Sequence, residues 1–212
     1  MLNLEETMLD NTGFDLWAKT FDQTVKESDD EKSYPFAGYK EIINEIYKRI
    51  LNSKAHRVLD LGFGTGRLAK ALYDQGLEIF GQDFSEEMLK LAQEKMPKAN
   101  LYLGNLADGL ASGLIDKKYD AIVGTYSLHH LDDKEKVVLI KFLLTLLNDG
   151  GKIYIGDVAF ESRRDLDACK KEAEKYWDDD EIYFVYDEIK KSFPYINFKK
   201  FSFCAGLLTL AK

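Results

Sequence analysis

Little in this 212-residue chain could staple, anchor or partition it. The two cysteines, Cys169 and Cys204, lie far apart and share no metal-ligand spacing. They read as two reduced thiols of an intracellular chain, since a core this large needs no disulfide. Only three prolines are present, none in a Pro-rich linker, so one compact domain with a lid is expected. No apolar run reaches the ~20 residues of a membrane helix. The opening MLNLEETMLDNTGFDLW is acidic and lacks the basic-then-apolar order of a signal peptide. These absences predict a cytoplasmic protein with no membrane partner. Basic residues are in the minority, 29 Lys and Arg against 37 Asp and Glu, for a net charge of −8. Such a surface repels phosphates, so no nucleic-acid partner is expected. There is no HExxH, no cysteine cluster and no Asp/His set at ligand spacing, and no metal is expected.

What is present is enough for a globular core: 45% of residues are hydrophobic and 13% aromatic. In the first zone, residues 1–53, Phe36, Tyr39, Ile43, Ile46 and Ile50 recur at three- and four-residue steps and mark one face of a helix. The charged run over 26–32 ahead of it reads as a solvated loop. The second zone alternates β-rich runs (57–61, 78–83, 100–103, 119–125, 152–158) with helical ones (67–74, 86–95, 134–147). Ser85 stands as an N-cap with Glu86 and Glu87 in the first turn. That alternation predicts a parallel sheet with helices on both faces. The third zone offers a charged helix over 162–176, an acidic loop over 178–181 and a helix over 182–192. It ends in two strands, 196–204 and 207–211, with Ala205-Gly206 as a hairpin turn.

The informative stretch is Val58-Leu59-Asp60-Leu61-Gly62-Phe63-Gly64-Thr65-Gly66-Arg67. An apolar strand runs into a glycine-rich turn that opens a helix, where free N–H groups favour an anion. A dinucleotide site needs G-x-G-x-x-G with a small sixth residue. Here the spacing is G-x-G-x-G, and Arg67 fills the sixth place. Asp60, two residues before the first glycine, would repel a pyrophosphate but attract an ammonium group. The ligand this loop calls for carries a cation beside a small anion, and S-adenosylmethionine, with amino, carboxylate and sulfonium groups, meets that description.

From residue 57 to about 158 the chain resembles a class I S-adenosylmethionine-dependent methyltransferase. The resemblance rests on Asp60-Leu61-Gly62-Phe63-Gly64-Thr65-Gly66, on Gly81-Gln82-Asp83 ending the second strand, and on the fourth-strand run from Tyr119 to Tyr126. The segments Phe14-Asp15-Leu16-Trp17-Ala18 and Phe21-Asp22-Gln23-Thr24-Val25 further resemble a group of small, poorly characterised bacterial methyltransferases. The implied fold is a three-layer, Rossmann-like α/β fold. Its seven-stranded, mostly parallel sheet has an antiparallel last strand and an N-terminal helical lid. The implied division is a lid segment, 1–53, and a cofactor-binding domain, 54–212, with an insertion near 160–194.

The resemblance implies S-adenosyl-L-methionine as cofactor, S-adenosyl-L-homocysteine as product and a small-molecule methyl acceptor. Asp60, Gly62, Gly64 and Gly66 would form the cofactor loop, and Asp83 would bind the ribose hydroxyls. Phe84 would pack on adenine or merely staple the next helix, with Leu106 and Tyr126 beside it. Asn105 replaces the family's usual Asp near the adenine amino group, which an amide oxygen can still accept from. His129 and His130 follow the fourth strand, where they would serve as acid–base groups or line the pocket; His56 is expected to be structural. Trp17, Phe21 and Tyr39 would close over the cofactor. Trp177, Tyr183, Phe184 and Tyr186 would line either an acceptor pocket or the core. Asp132 and Asp157 sit near strand ends, where some metal-using relatives place ligands, but no metal is assigned to them. Two other readings stay open: a non-catalytic S-adenosylmethionine binder, and an NAD-dependent oxidoreductase, against which the glycine spacing argues.

Overall fold

The computed structural model describes residues 21–211. In chain order its elements begin with α1 (Phe21–Asp30), α2 (Tyr39–Asn52), β1 (Arg57–Leu61), α3 (Arg67–Tyr73) and β2 (Glu78–Asp83). There follow α4 (Glu86–Lys95), β3 (Asn100–Leu103), α5 (Ser112–Ile115), β4 (Tyr119–Thr125), α6 (Asp133–Thr145) and β5 (Leu147–Phe160). The last are α7 (Arg163–Ala173), β6 (Phe184–Val185), α8 (Tyr186–Ile189), β7 (Asn197–Lys200) and β8 (Ala205–Ala211).

The sheet order is β3-β2-β1-β4-β5-β8-β7, with β6 pairing the end of β5. Strands β1 to β5 run parallel, and β8 enters antiparallel between β5 and β7. Alternation along each strand separates two cores. Val58, Ala121, Val123 and Tyr154 face α2 and α3 through Ile42, Ile46, Ile50, Leu68 and Leu72. Leu59, Ile122, Ile153 and Ile155 face α6 through Leu139, Ile140 and Leu143. This is the expected three-layer α/β architecture with a mostly parallel sheet. Helix α2 sits close because Gly156 makes room for it: a Cβ there would lie 2.3 Å from Ile42 Cγ2.

Four sequence expectations are corrected. The charged run over 26–32 is largely helical, belonging to α1 up to Asp30. Its charges form a solvated helix face opposite buried Val25, and the Asp29 carboxylate accepts from the N–H groups of Gly38 and Lys40 to fix the entry into α2. The helix expected over 182–192 is broken into β6 and the short α8. Phe184 and Val185 instead pair with Ala159 and Phe160 at the open end of β5. The hairpin turn is 201–204 rather than Ala205-Gly206. Ser202 Oγ accepts from Cys204 N–H and Ala205 N–H to close it, whereas Gly206 is a strand residue beneath the Phe198 ring. Among the described residues the sheet holds eight strands rather than seven, the two-residue β6 being the addition beside the seven-strand path.

Candidate active site

Strand β1 has β2 on one side and β4 on the other, so the chain reverses its winding there and leaves a crevice beyond the strands' carboxyl ends. The glycine loop turns out of β1 into this crevice. Gly62 donates its N–H to Gln82 O (2.7 Å) and has φ +67°, and a Cβ on it would lie 2.3 Å from Ser127 Cβ. Only glycine fits there. Gly64, at φ +53°, is different: a Cβ on it would meet no atom of the described residues within 4 Å, so among them its backbone faces open space. Gly66 caps α3 and packs against Ala92 and Met96, and it does not line the crevice.

Asp83 ends β2 and joins the two loops. Its Oδ2 accepts from Gly64 N–H (2.7 Å) and its Oδ1 from Ser85 N–H (3.0 Å), while Ser85 Oγ caps α4 by accepting from Met88 N–H. Buried Gln82, which sequence reasoning gave no role, positions the next wall. Its amide donates to Gly109 O and accepts from Ala111 N–H. Asn105 lies on that wall with its side chain accepting from Ala107 N–H, capping the single 3-10 turn Leu106–Asp108.

These elements enclose a cavity of about 280 Å³ lined by Asp60, Gly62, Gly64, Asp83, Phe84, Asn105, Leu106, Tyr126, Tyr39 and His130, among others. That is near the lower end of small-molecule sites, about 300–1,000 Å³. Ten of the residues singled out from sequence thus line one cavity. Trp17 lies outside the described residues, and Phe21 contributes only the first backbone position of α1 to the description.

Asp60 is the electrostatic centre. It is 2% exposed, and its Oδ1 is buried without a hydrogen-bond partner among the described residues. Burial first, and the Asp83 charge second, raise its pKa from 3.8 to about 7. A buried carboxylate beside a second acid is short of a cation, and a ligand ammonium or sulfonium in the cavity would supply it. Across the cavity Tyr126, the residue after β4, lies in the left-handed region (φ +50°), a strained conformation for a residue with a Cβ. Its ring packs between Phe36 (5.3 Å) and Tyr39 (5.1 Å), and its hydroxyl, also buried without a partner among the described residues, has its pKa raised by burial. Arg67 lies over the Tyr39 ring at 5.6 Å, tying the start of α3 to α2.

The two histidines part company. His130 is exposed on the cavity wall, edge-on to Phe84 at 6.4 Å. Desolvation by the wall and then the neighbouring His129 hold its pKa below the ordinary imidazole value. His129 is turned inward. Its Nδ1–H donates to Asp157 Oδ1 (2.6 Å), and its Nε2 lies 3.3 Å from Glu181 Oε1. Burial alone would lower its pKa, but Asp157 and Glu181 outweigh it and raise the value to about 9. Glu181 accepts in turn from Tyr183 Oη–H (2.6 Å), whose hydroxyl meets that of Tyr34. Sequence reasoning missed Glu181 and its neighbour Asp180, a cavity residue, because the acidic run 178–181 gives no sign of folding back onto β4. Trp177 and Tyr183 prove to be mutually packed aromatics, 4.9 Å apart and nearly perpendicular, with Tyr34 stacked on Trp177.

Comparison with known proteins agrees with this geometry. Residues 58–151 match the family described as a methyltransferase domain. An uncharacterized methyltransferase of Alkaliphilus oremlandii is 34% identical over 188 residues, 88% of this chain and 83% of that protein. Another from Geobacillus sp. is 39% identical over 76% of this chain and 72% of its own length. Two solved structures share the fold. One is magnesium protoporphyrin IX methyltransferase from Synechocystis PCC 6803 with bound S-adenosylhomocysteine (TM-score 0.69, 19% identity, 95% of each chain). The other is an S-adenosylmethionine-dependent methyltransferase from Clostridium acetobutylicum (TM-score 0.65, 16% identity, 91% of this chain and 99% of that one).

Proposed function

The chain belongs to the methyltransferase family, and from that premise we propose that it moves a methyl group from S-adenosylmethionine to a small-molecule acceptor, leaving S-adenosylhomocysteine. The observation that carries this reading is Asp60: a buried carboxylate with an orphaned oxygen, set beside a glycine backbone that faces open space. Those features fit a ligand that is cationic at one point and must approach the main chain closely. When bound, the sulfonium supplies a methyl already activated for in-line displacement.

The chain's own residues bind, orient and exclude water. Asp60 takes the cationic amino-acid end, and the Gly62–Gly64 backbone admits the ligand. Asp83, held at the end of β2 by the Gly64 and Ser85 N–H groups, takes the ribose hydroxyls. Phe84, Asn105 and Leu106 form the adenine wall. Tyr39 and Tyr126 close the opposite side, and the segment 1–53, whose described residues pack through α2 onto the domain 54–212, serves as the cover. Alignment of this kind is worth ~7–11 kcal/mol of barrier, so a dedicated base is needed only for an acceptor that must lose a proton. Of the two histidines, His130 is the one on the cavity wall and can reach an acceptor; His129 acts behind it as a positioning residue. The net charge of −8 favours a small molecule over a nucleic acid as acceptor.

Thermal unfolding with S-adenosylmethionine, S-adenosylhomocysteine and NADH tests the reading. A ligand at 100 times its Kd stabilises by ~2.7 kcal/mol. Stabilisation by the two sulfur ligands, lost in Asp60→Ala and Asp83→Ala, is expected; a response to NADH alone overturns it. Turnover of methyl-labelled cofactor against a metabolite panel then separates an enzyme from a binder.

A further inference from the structure

At the cavity wall, His130 and, behind it, His129 and Glu181 bring their ligand atoms within 4.8 Å of one another. We propose that they form a binding site for a divalent transition-metal ion, Zn²⁺ or a close analogue, whose open position faces the cavity and takes the heteroatom of the acceptor. The proposal deepens the methyl-transfer reading and rests on it for the acceptor's role, though not for the binding of the ion.

Four observations carry it. First, His129 Nε2 and Glu181 Oε1 are 3.3 Å apart. Bonds of ~2.0–2.1 Å at tetrahedral angles separate two ligands by about 3.3 Å, so this edge of a coordination shell already exists. The His130 ring, on the exposed side, closes the third vertex by turning toward it. Second, the opposite nitrogen of His129 is bound to Asp157, which is 0% exposed. A buried carboxylate on the far nitrogen is the partner that fixes a metal-binding imidazole and raises its basicity. Third, Asp157 and Glu181 place two carboxylates on one histidine, and Asp157 Oδ2 has no hydrogen-bond partner among the described residues. The nearby cation, Lys136, is committed elsewhere, to Asp133 (3.5 Å), the Ile182 carbonyl and the face of Phe184. A dication balances the two carboxylates. Fourth, the pieces are held: Ile182 N–H donates to His129 O (2.8 Å), and Tyr183 Oη–H holds the second oxygen of Glu181.

Two imidazoles and one carboxylate leave at least one position open, as in catalytic rather than structural sites. His130 and Asp180 both line the cavity, so that position faces the acceptor rather than the core. An acceptor bound there through O, N or S gives up its proton to water on coordination. The exposed lone pair then forms the new bond to the methyl carbon as the carbon–sulfur bond breaks, its electron pair remaining on sulfur.

The full-length protein, stripped with chelator, is titrated with Co²⁺ and followed by its visible absorption, then competed with Zn²⁺. One equivalent per chain is expected, with d–d bands of a four- or five-coordinate N/O site. Affinity should fall at least tenfold in Glu181→Gln and in His130→Asn, and 10–100-fold in Asp157→Asn. Glu181→Gln is isosteric and His130 is exposed, so both variants keep the fold. Stabilisation by S-adenosylmethionine should persist in Glu181→Gln. Absence of a stoichiometric cobalt spectrum, or a spectrum unchanged in both variants, overturns the site. If cobalt binds as expected but the sulfur ligands do not, the methyltransferase reading fails while the metal site stands.

Discussion

Replacing Asp60 by Asn should make the ligand-free protein more stable at neutral pH and blind to its cofactor. Burial and the Asp83 charge lift the Asp60 pKa from 3.8 to about 7. Across that window the native state keeps a proton that the unfolded chain has released, so stability is highest below it and falls as pH rises through it. The full loss persists above about pH 7. At 1.36 kcal/mol per unit, the ionised carboxylate costs roughly 4 kcal/mol, of which about 2.5 kcal/mol accrues between pH 5 and pH 8. Asn removes this charge while leaving a buried amide that itself costs ~1–3 kcal/mol. The variant should therefore match or exceed wild type near pH 8 and lose that advantage near pH 5. Other carboxylates work in the opposite sense. Asp120 is one: its burial is outweighed by the N–H groups of Arg57 and His56, so its pKa is lowered. The quantity to follow is thus the wild-type-minus-variant difference in urea unfolding free energy, measured from pH 5 to 8. A cation at Asp60 also lowers its pKa, so wild-type affinity for S-adenosylmethionine should weaken by up to tenfold per unit as pH falls below about 7. Parallel pH profiles for the two proteins, or an Asn variant that responds fully to cofactor, would refute the reasoning.

The other predictions concern the loop, its acid and the core. Gly62→Ala places a Cβ 2.3 Å from Ser127 Cβ at φ +67° and should cost more than ~2 kcal/mol by chemical denaturation. Gly64→Ala meets no atom and should cost only the ~1–2 kcal/mol of a left-handed residue, yet weaken S-adenosylmethionine binding measured by calorimetry. Asp83→Ala frees the N–H groups of Gly64 and Ser85 and should lower stability by ~1–3 kcal/mol, with cofactor response lost as well. Ile46→Ala, at 0% exposure between α2 and the sheet, should cost ~2–5 kcal/mol by urea unfolding without altering the pH dependence set by Asp60.

Much of the scaffold was legible because it is written in local patterns. Apolar runs ending in glycines gave β1, β2 and β4, and the Ser85 cap with its acids gave the start of α4. Apolar residues at three- and four-residue steps gave Tyr39, Ile46 and Ile50 on the buried face of α2, although the isoleucine that completes that face is Ile42 and Ile43 is only partly buried. The errors fell where distant partners override propensity. Residues 26–30 look like a loop until Val25 finds the core, and Phe184-Val185 read as helix until the free end of β5 offers a ladder. Gly206 looked like a turn glycine, although its small size serves the Phe198 ring.

The same division runs through the site. The glycine loop, Asp60 and Asp83 are close in sequence to the strand ends that place them, so the chain order alone determined that they meet in one crevice. The histidine pair shows the limit. In sequence His129 and His130 are equivalent neighbours, and nothing local distinguishes them. Only the fold, by carrying the acidic segment before β6 back over β4 and setting Asp157 at the end of β5, turns one inward between two carboxylates and leaves the other on the cavity wall. Charge and burial are properties of what surrounds a side chain, and those surroundings come from residues that are remote along the chain.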